Sequence, residues 1–110
     1  MKHLNEFLIY IYKIKMYSQN TIDAYKIDLN QFNNFLTKEL TISIIDLNKI
    51  SKKEIKSYLL FLSERNLSEK SINRKLASIK SFFRYLLKQK LVKSNPTTNI
   101  NGLKIPQKLP

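Results

Sequence analysis

The chain contains no cysteine. Disulfides, thiolate nucleophiles and Cys-ligated metal are thereby excluded, and the composition is compatible with a reducing compartment. Glycine is nearly as scarce, with Gly102 the only one in 110 residues. Sheet hairpins and phosphate-cradling loops use glycine where the backbone turns to positive φ, so the shortage argues for helices and against a nucleotide loop. No run of about 18 apolar residues occurs, and no segment reads as a membrane span. The opening MKHLNEFLIYIYKIK carries an acid and lacks a small-residue cleavage site, a poor match to a signal peptide. The expected location is the cytoplasm.

The most informative shortage is of acid. No Asp or Glu follows Glu69, although ten Lys and Arg do. Residues 1–69 hold ten basic and eight acidic side chains, so +10 of the formal +12 lies in the last 41 residues. Such asymmetry points to an anionic partner. A lysine-rich solvated surface is the plainer alternative, because 17 of the 20 basic residues are Lys. With 43% hydrophobic residues and twelve Phe and Tyr, the chain has material for a core and is not a polybasic tail. Its length fits one domain.

Three positions repeat one arrangement: an apolar residue, a serine, three further residues and an isoleucine. They are Tyr17, Ser18 and Ile22; Ile50, Ser51 and Ile55; and Leu67, Ser68 and Ile72. A serine at the N-cap accepts a free N–H of the first turn, and the flanking apolar residues then form a hydrophobic staple. Glu54 adds a capping box to Ser51. Apolar spacings of three and four follow each start: Ile22, Tyr25, Leu29, Phe32 and Leu36; Ile55, Tyr58, Leu59 and Leu62; Ile72, Leu76, Ile79, Phe83 and Leu86, flanked by Phe82 and Leu87. An earlier helix carries Leu4, Phe7, Leu8, Ile11 and Ile14. Four helices are expected, with short turns at 17–19 and 66–68. A longer break at 38–50 contains TISII, a candidate extended piece, and Leu47 and Ile50, which should reach the core. The pair Asn95, Pro96 should end the last helix. The following TTNINGLKIPQKLP has no helical period and reads as a linker.

Opposite its apolar stripe, the fourth helix presents Lys70, Arg74, Ala77, Ser81, Arg84 and Lys88, with Asn73 and Ser78 at the margins. A basic helix with short polar residues between its charges fits the major groove of duplex DNA, though an ordinary solvated face has the same look. The second helix presents Asn20, Thr21, Ala24, Ile27, Gln31 and Asn34, a nearly uncharged face suited to close approach to base edges. On the first helix, Ile9, Tyr12 and Met16 form a second apolar stripe. Either it meets a partner, or the 38–50 loop or the C-terminal linker covers it. Nothing suggests catalysis: His3 is alone near the terminus, no carboxylate pair shares a spacing, and no base accompanies any tyrosine. No cofactor or metal is implied.

The segments YSQNTIDAYKIDLNQFNNFL, LNKISKKEIKSYLLFL, NLSEKSINRKLASIKSFFRYLLKQKLVKSNP and KIPQKLP together resemble the N-terminal core-binding, SAM-like domain of tyrosine recombinases of the Xer and phage-integrase branch. Ser18, Thr21, Tyr25 and Asp28 match that family's S-x-x-T-x-x-x-Y-x-x-D helix. Ser71, Ile72, Arg74, Leu76, Ile79, Phe82, Phe83 and Leu86 match its last helix, and Asn95 and Pro96 its closing pair. The resemblance implies an all-α, four-helix orthogonal bundle of two crossed hairpins over residues 1–94, with a linker at 95–110 leading to a separate catalytic domain. It implies that the bundle binds double-stranded DNA as half of a clamp. By position, the contacts would be Thr21, Asp23, Ala24, Ile27 and Gln31 on helix two, where Asp23 and Ile27 depart from a basic or polar surface. On helix four they would be Lys70, Ser71, Arg74, Lys75, Ser78 and Ser81, with Arg84 added from the exposed face. Ile9, Tyr12 and Met16 would meet another recombinase protomer, while the isolated domain would be monomeric. Catalytic residues would lie in the other domain, so these 110 residues should not cut DNA. Two rivals stand beside this expectation: a basic protein-interaction module and a free-standing helix-turn-helix regulator.

Overall fold

The computed structural model describes residues 1–42 and 46–102. Four α-helices follow one another: α1 (Leu4–Lys13), α2 (Gln19–Asn34), α3 (Lys52–Glu64) and α4 (Glu69–Lys88). No strand occurs among the described residues, so the fold is all-α, as expected. α1 pairs with α2, α3 pairs with α4, and contact between α2 and α4 joins the two pairs.

Local chemistry places the helix starts where the serines are. Ser18 Oγ accepts from the Thr21 N–H at 3.2 Å, and Ser68 Oγ from the Ser71 N–H at 3.1 Å. At Ser51 the Glu54 carboxylate reaches back to the Ser51 N–H (2.8 Å) and hydroxyl (2.7 Å). Burial pushes the Glu54 carboxyl up, but these bonds outweigh it and hold the group below its ordinary value. The staples differ in quality. Ile50 and Ile55 are both buried beside Ser51, whereas Tyr17 stays partly exposed and stacks on Tyr25 instead, ring centroids 6.0 Å apart.

The core is the union of the expected stripes: Phe7 and Ile11 from α1, Leu29 and Phe32 from α2, Ile55 and Tyr58 from α3, and Ile72, Ile79, Phe82, Phe83 and Leu86 from α4. Phe7 contacts Tyr25, Phe82 and Tyr85 edge-on or tilted, and Tyr58 sits among Phe32, Phe35 and Phe61. Leu47 and Ile50 reach the core, as expected. The chain continues from α2 into a π-helical turn, Phe35–Glu39, whose Phe35 and Leu36 are buried.

Two expectations need correction. Ile14 was placed on the core stripe, but α1 ends at Lys13 and Ile14 is 67% exposed. Met16 turns into the left-handed region at φ 57, and the Tyr17 N–H bonds back to the Ile11 carbonyl, so the stripe stops one turn early. The last helix does not run to Asn95 and Pro96. It closes at Lys88, with Lys90 at φ 59, the Leu91 N–H on the Leu86 carbonyl and the Lys90 N–H on the Leu87 carbonyl. That is a Schellman motif, and it satisfies carbonyls of the last turn without any help from proline.

Packing continues beyond α4. Val92, Pro96, Thr97 and Ile100 are buried, and the Lys93 N–H donates to Asn48 Oδ1 at 2.8 Å. Asn95 Oδ1 accepts from both the N–H and the hydroxyl of Thr97, folding 95–97 locally. Part of TISII (residues 43–45) and the linker beyond 102 lie outside the described residues. Among the described residues, no helix is long and apolar enough to cross a membrane.

Candidate nucleic-acid interface

The α2–α4 contact is built around one carboxylate. Asp28 is three residues after Tyr25 and four before Phe32, which sets it on the buried side of α2, and it is 1% exposed. On α4, residues 74, 75 and 78 face it. Asp28 Oδ1 accepts from Arg74 Nη2 and from Lys75 Nζ, both at 3.0 Å, and Oδ2 accepts from Ser78 Oγ at 2.8 Å. Lys75 Nζ donates in addition to Gln31 Oε1. A buried carboxylate without such partners would cost several kcal/mol by order of magnitude, and removing one partner of a buried pair typically costs about 3–5 kcal/mol. The cluster therefore fixes how α2 and α4 lie together.

Above the cluster runs a groove of about 370 Å³, lined by Asn20, Thr21, Ala24, Tyr25 and Asp28 from α2 and by Arg74, Ala77 and Ser78 from α4. Tyr25 also lines an adjoining recess with Lys15, Tyr17, Ser81, Arg84, Tyr85 and Lys88. There Arg84 Nη2 donates to Ser81 Oγ at 3.1 Å, and Tyr25 Oη lies 3.5 Å from the same hydroxyl. Burial, with smaller contributions from Glu6 and Tyr10, pushes the Tyr85 phenol up. The combined surface mixes short side chains in the groove and aromatic ones in the recess with the Asp28 carboxylate and four cations, Lys15, Arg74, Arg84 and Lys88. Cations can hold phosphates there, and the short side chains leave room for base edges to approach.

The residues expected to bind fall into four groups. Thr21, Ala24, Arg74 and Ser78 share the groove, while Ser81 and Arg84 line the adjoining recess. Gln31 and Lys75 line a different space, about 430 Å³, near Phe35, Tyr58, Phe61 and Arg65 at the far end of α2. Asp23, Ile27 and Lys70 are exposed and Ser71 is half-buried, and none of these lines either groove. Asp23 accepts from Gln19 Nε2, and Ser71 is occupied by the Ser68 cap. Lys75 and Ser78, expected as surface contacts, are buried and turned to Asp28. Lys75 lies three residues after Ile72 and Ser78 four before Phe82, at the edge of the stripe, and the neighbouring α2 covers that edge. Asp28 itself was not expected at the site. Its signal was legible: an acid inside an apolar stripe, in a chain with surplus cations.

On and just after α1, Ile9, Tyr12 and Met16 are 55%, 57% and 82% exposed. Neither of the proposed covers, as far as it is described, buries them.

The description "Phage integrase, N-terminal SAM-like domain" matches residues 4–90. The chain is 39% identical over 106 residues to the tyrosine recombinase XerC of Leptospira interrogans, 96% of this chain and 33% of that protein. It is 38% identical over 109 residues to XerC of Herpetosiphon aurantiacus, 99% of this chain and 35% of that protein. Against the tyrosine recombinase XerD of Rickettsia bellii it is 34% identical over 110 residues, 100% of this chain and 35% of that protein. The chain thus spans about a third of the length of these curated relatives. No solved structure matches it at a significant level. Four helices in this order, and a match that begins at the first residue of α1 and runs past the end of α4, place the chain in the phage integrase N-terminal SAM-like domain family, as the N-terminal domain of a tyrosine recombinase.

Proposed function

We infer that the chain binds duplex DNA through the α2–α4 side of the bundle, clamping one face of a recombination half-site for a tyrosine recombinase. Strand cleavage and rejoining, in DNA integration or recombination, would be done by residues outside these 110. The observation that carries the reading is the groove in which Asn20, Thr21, Ala24 and Ala77 are flanked by Arg74, with Arg84 and Lys88 next to it. The relatives' names support the same assignment. The exposed Ile9 and Tyr12 fit contact with another protomer, and a protein acting on DNA would work in the cytoplasm. No cofactor or metal enters this function.

The test is a gel-shift titration with duplex DNA at two salt concentrations. Each phosphate contact contributes about −0.9 to the log–log salt slope, and about three to five contacts would weaken binding roughly 40- to 500-fold between 50 and 200 mM salt. Arg74→Ala and Arg84→Ala are expected to weaken binding, and Lys13→Ala on α1 to leave it nearly unchanged. Equal losses from all three would reject the proposed face. No shift at low salt would favour a protein-interaction module instead.

A further inference from the structure

We propose that Asp28 is a positioning residue, whose buried carboxylate holds the Arg74 guanidinium in one orientation over the α2–α4 groove so that it reads a base edge. The inference rests on the groove being the DNA-binding face.

The pair Asp28–Arg74 straddles the surface. Its acid is 1% exposed, while the side chain of its arginine is 56% exposed. Ion pairs between two exposed, flexible side chains hold little in place. Here one end cannot move, because Lys75 Nζ and Ser78 Oγ pin the same carboxylate from α4. Lys75 is itself buried and supplies the positive charge that the interior needs to balance Asp28. Arg74 is therefore tethered without being required for neutrality, and its charge remains available to an outside anion. The tether uses one terminal nitrogen of the guanidinium. Arginine carries five N–H donors in a rigid fork, so a second pair can engage acceptors elsewhere.

A fork held in place matters for reading sequence. The adjacent acceptors of guanine, N7 and O6, are met by two parallel N–H groups in a fixed plane. A mobile arginine loses rotamer freedom when it binds and finds phosphates as readily as bases, whereas a preorganised one does not. The neighbours of Arg74 in the groove, Ala24 and Ala77, are small enough to leave its fork room to approach a base.

Two measurements test this. The chain has three arginines, Arg65, Arg74 and Arg84, so a nitrogen-15 spectrum of the side-chain Nε–H groups has three signals. In the free wild-type chain the Arg74 signal should relax like the α4 backbone. An Arg74 side chain that relaxes much faster than the α4 backbone would overturn the proposal. The second measurement uses a duplex selected by the wild-type chain from a randomised pool, with a scrambled duplex for comparison. Asp28→Asn keeps the shape of the side chain and removes its charge. It should lower the selected-to-scrambled affinity ratio by about tenfold, while affinity for the scrambled duplex holds or rises.

Ile55→Ala, a core truncation in α3 far from the groove, should lower stability and keep the ratio. If Asp28→Asn preserves the ratio, or if Ile55→Ala loses it equally, the positioning role is wrong. A wild-type chain that binds no duplex at low salt would remove the DNA-binding reading itself, an outcome separable from the other two. Should Asp28→Asn fail to fold, the relaxation of Arg74 in the wild type still decides.

Discussion

At the scale of single residues, burial and hydrogen bonding do not always agree. Tyr58 is buried among aromatic rings, and its hydroxyl has no hydrogen-bond partner among the described residues. Burial, reinforced by the negative charge of Asp28, pushes its phenol up. An unsatisfied buried hydroxyl costs about 1–3 kcal/mol, more than the packing of one oxygen returns. Tyr58→Phe is therefore expected to stabilise the domain by about 1 kcal/mol, seen as a thermal midpoint higher by about 4–8 °C. A lower midpoint would show that the hydroxyl is satisfied after all. Asp28 is the contrasting case, a buried polar group whose two oxygens take three donors. The sequence places Tyr58 on a core stripe and Asp28 beside one. It does not say which of the two finds partners, because the donors come from α4, nearly fifty residues away.

Among elements, scarcity of glycine has a visible consequence. α3 and α4 both end in Schellman motifs, which turn a residue to positive φ just beyond the helix. Glycine usually fills that place, but here it is taken by Asn66 at φ 64 and Lys90 at φ 59. Asparagine tolerates this conformation through its short polar side chain, and lysine has no such advantage. Lys90→Gly is expected to stabilise the domain by about 0.5–1 kcal/mol, the relief of the left-handed strain exceeding the added freedom of the unfolded chain. Chemical denaturation with an unchanged slope and a higher midpoint would verify it, and a lower midpoint would reject it. The starts of α2, α3 and α4 were legible because a cap is chemistry between residues three positions apart. The ends of α1 and α4 were less so. Lys90 carries no mark of a helix stop, and Asn95 with Pro96 offered a more conspicuous one that the chain does not use.

For the whole molecule, two kinds of surface are exposed. Cations and small residues gather where α2 meets α4, while Ile9 and Tyr12 stand on the outer side of α1. If the apolar stripe joins protomers, Ile9→Asp combined with Tyr12→Asp should leave the isolated domain within about 0.5 kcal/mol of wild type, as surface changes usually do. The same pair should prevent multi-protomer recombinase–DNA complexes from sedimenting as assemblies. Unchanged sedimentation would dismiss the stripe as an interface. Sequence periodicity had marked both surfaces. It had not indicated that 95–100 would pack, since Pro96, Thr97 and Ile100 are anchors without a period.

Spacing along the chain was enough to determine four amphipathic helices, three of their starts, most of the core and the excess of cations toward the C-terminus. These properties depend on neighbours within a turn or on simple counts, and folding does not alter them. Which edge of each stripe is covered, and by what, was decided by tertiary structure alone. Lys75 and Ser78 left the surface and Asp28 became their shared acceptor only because α2 lies across α4, and a contact between segments 46 to 50 residues apart leaves no trace in local periodicity.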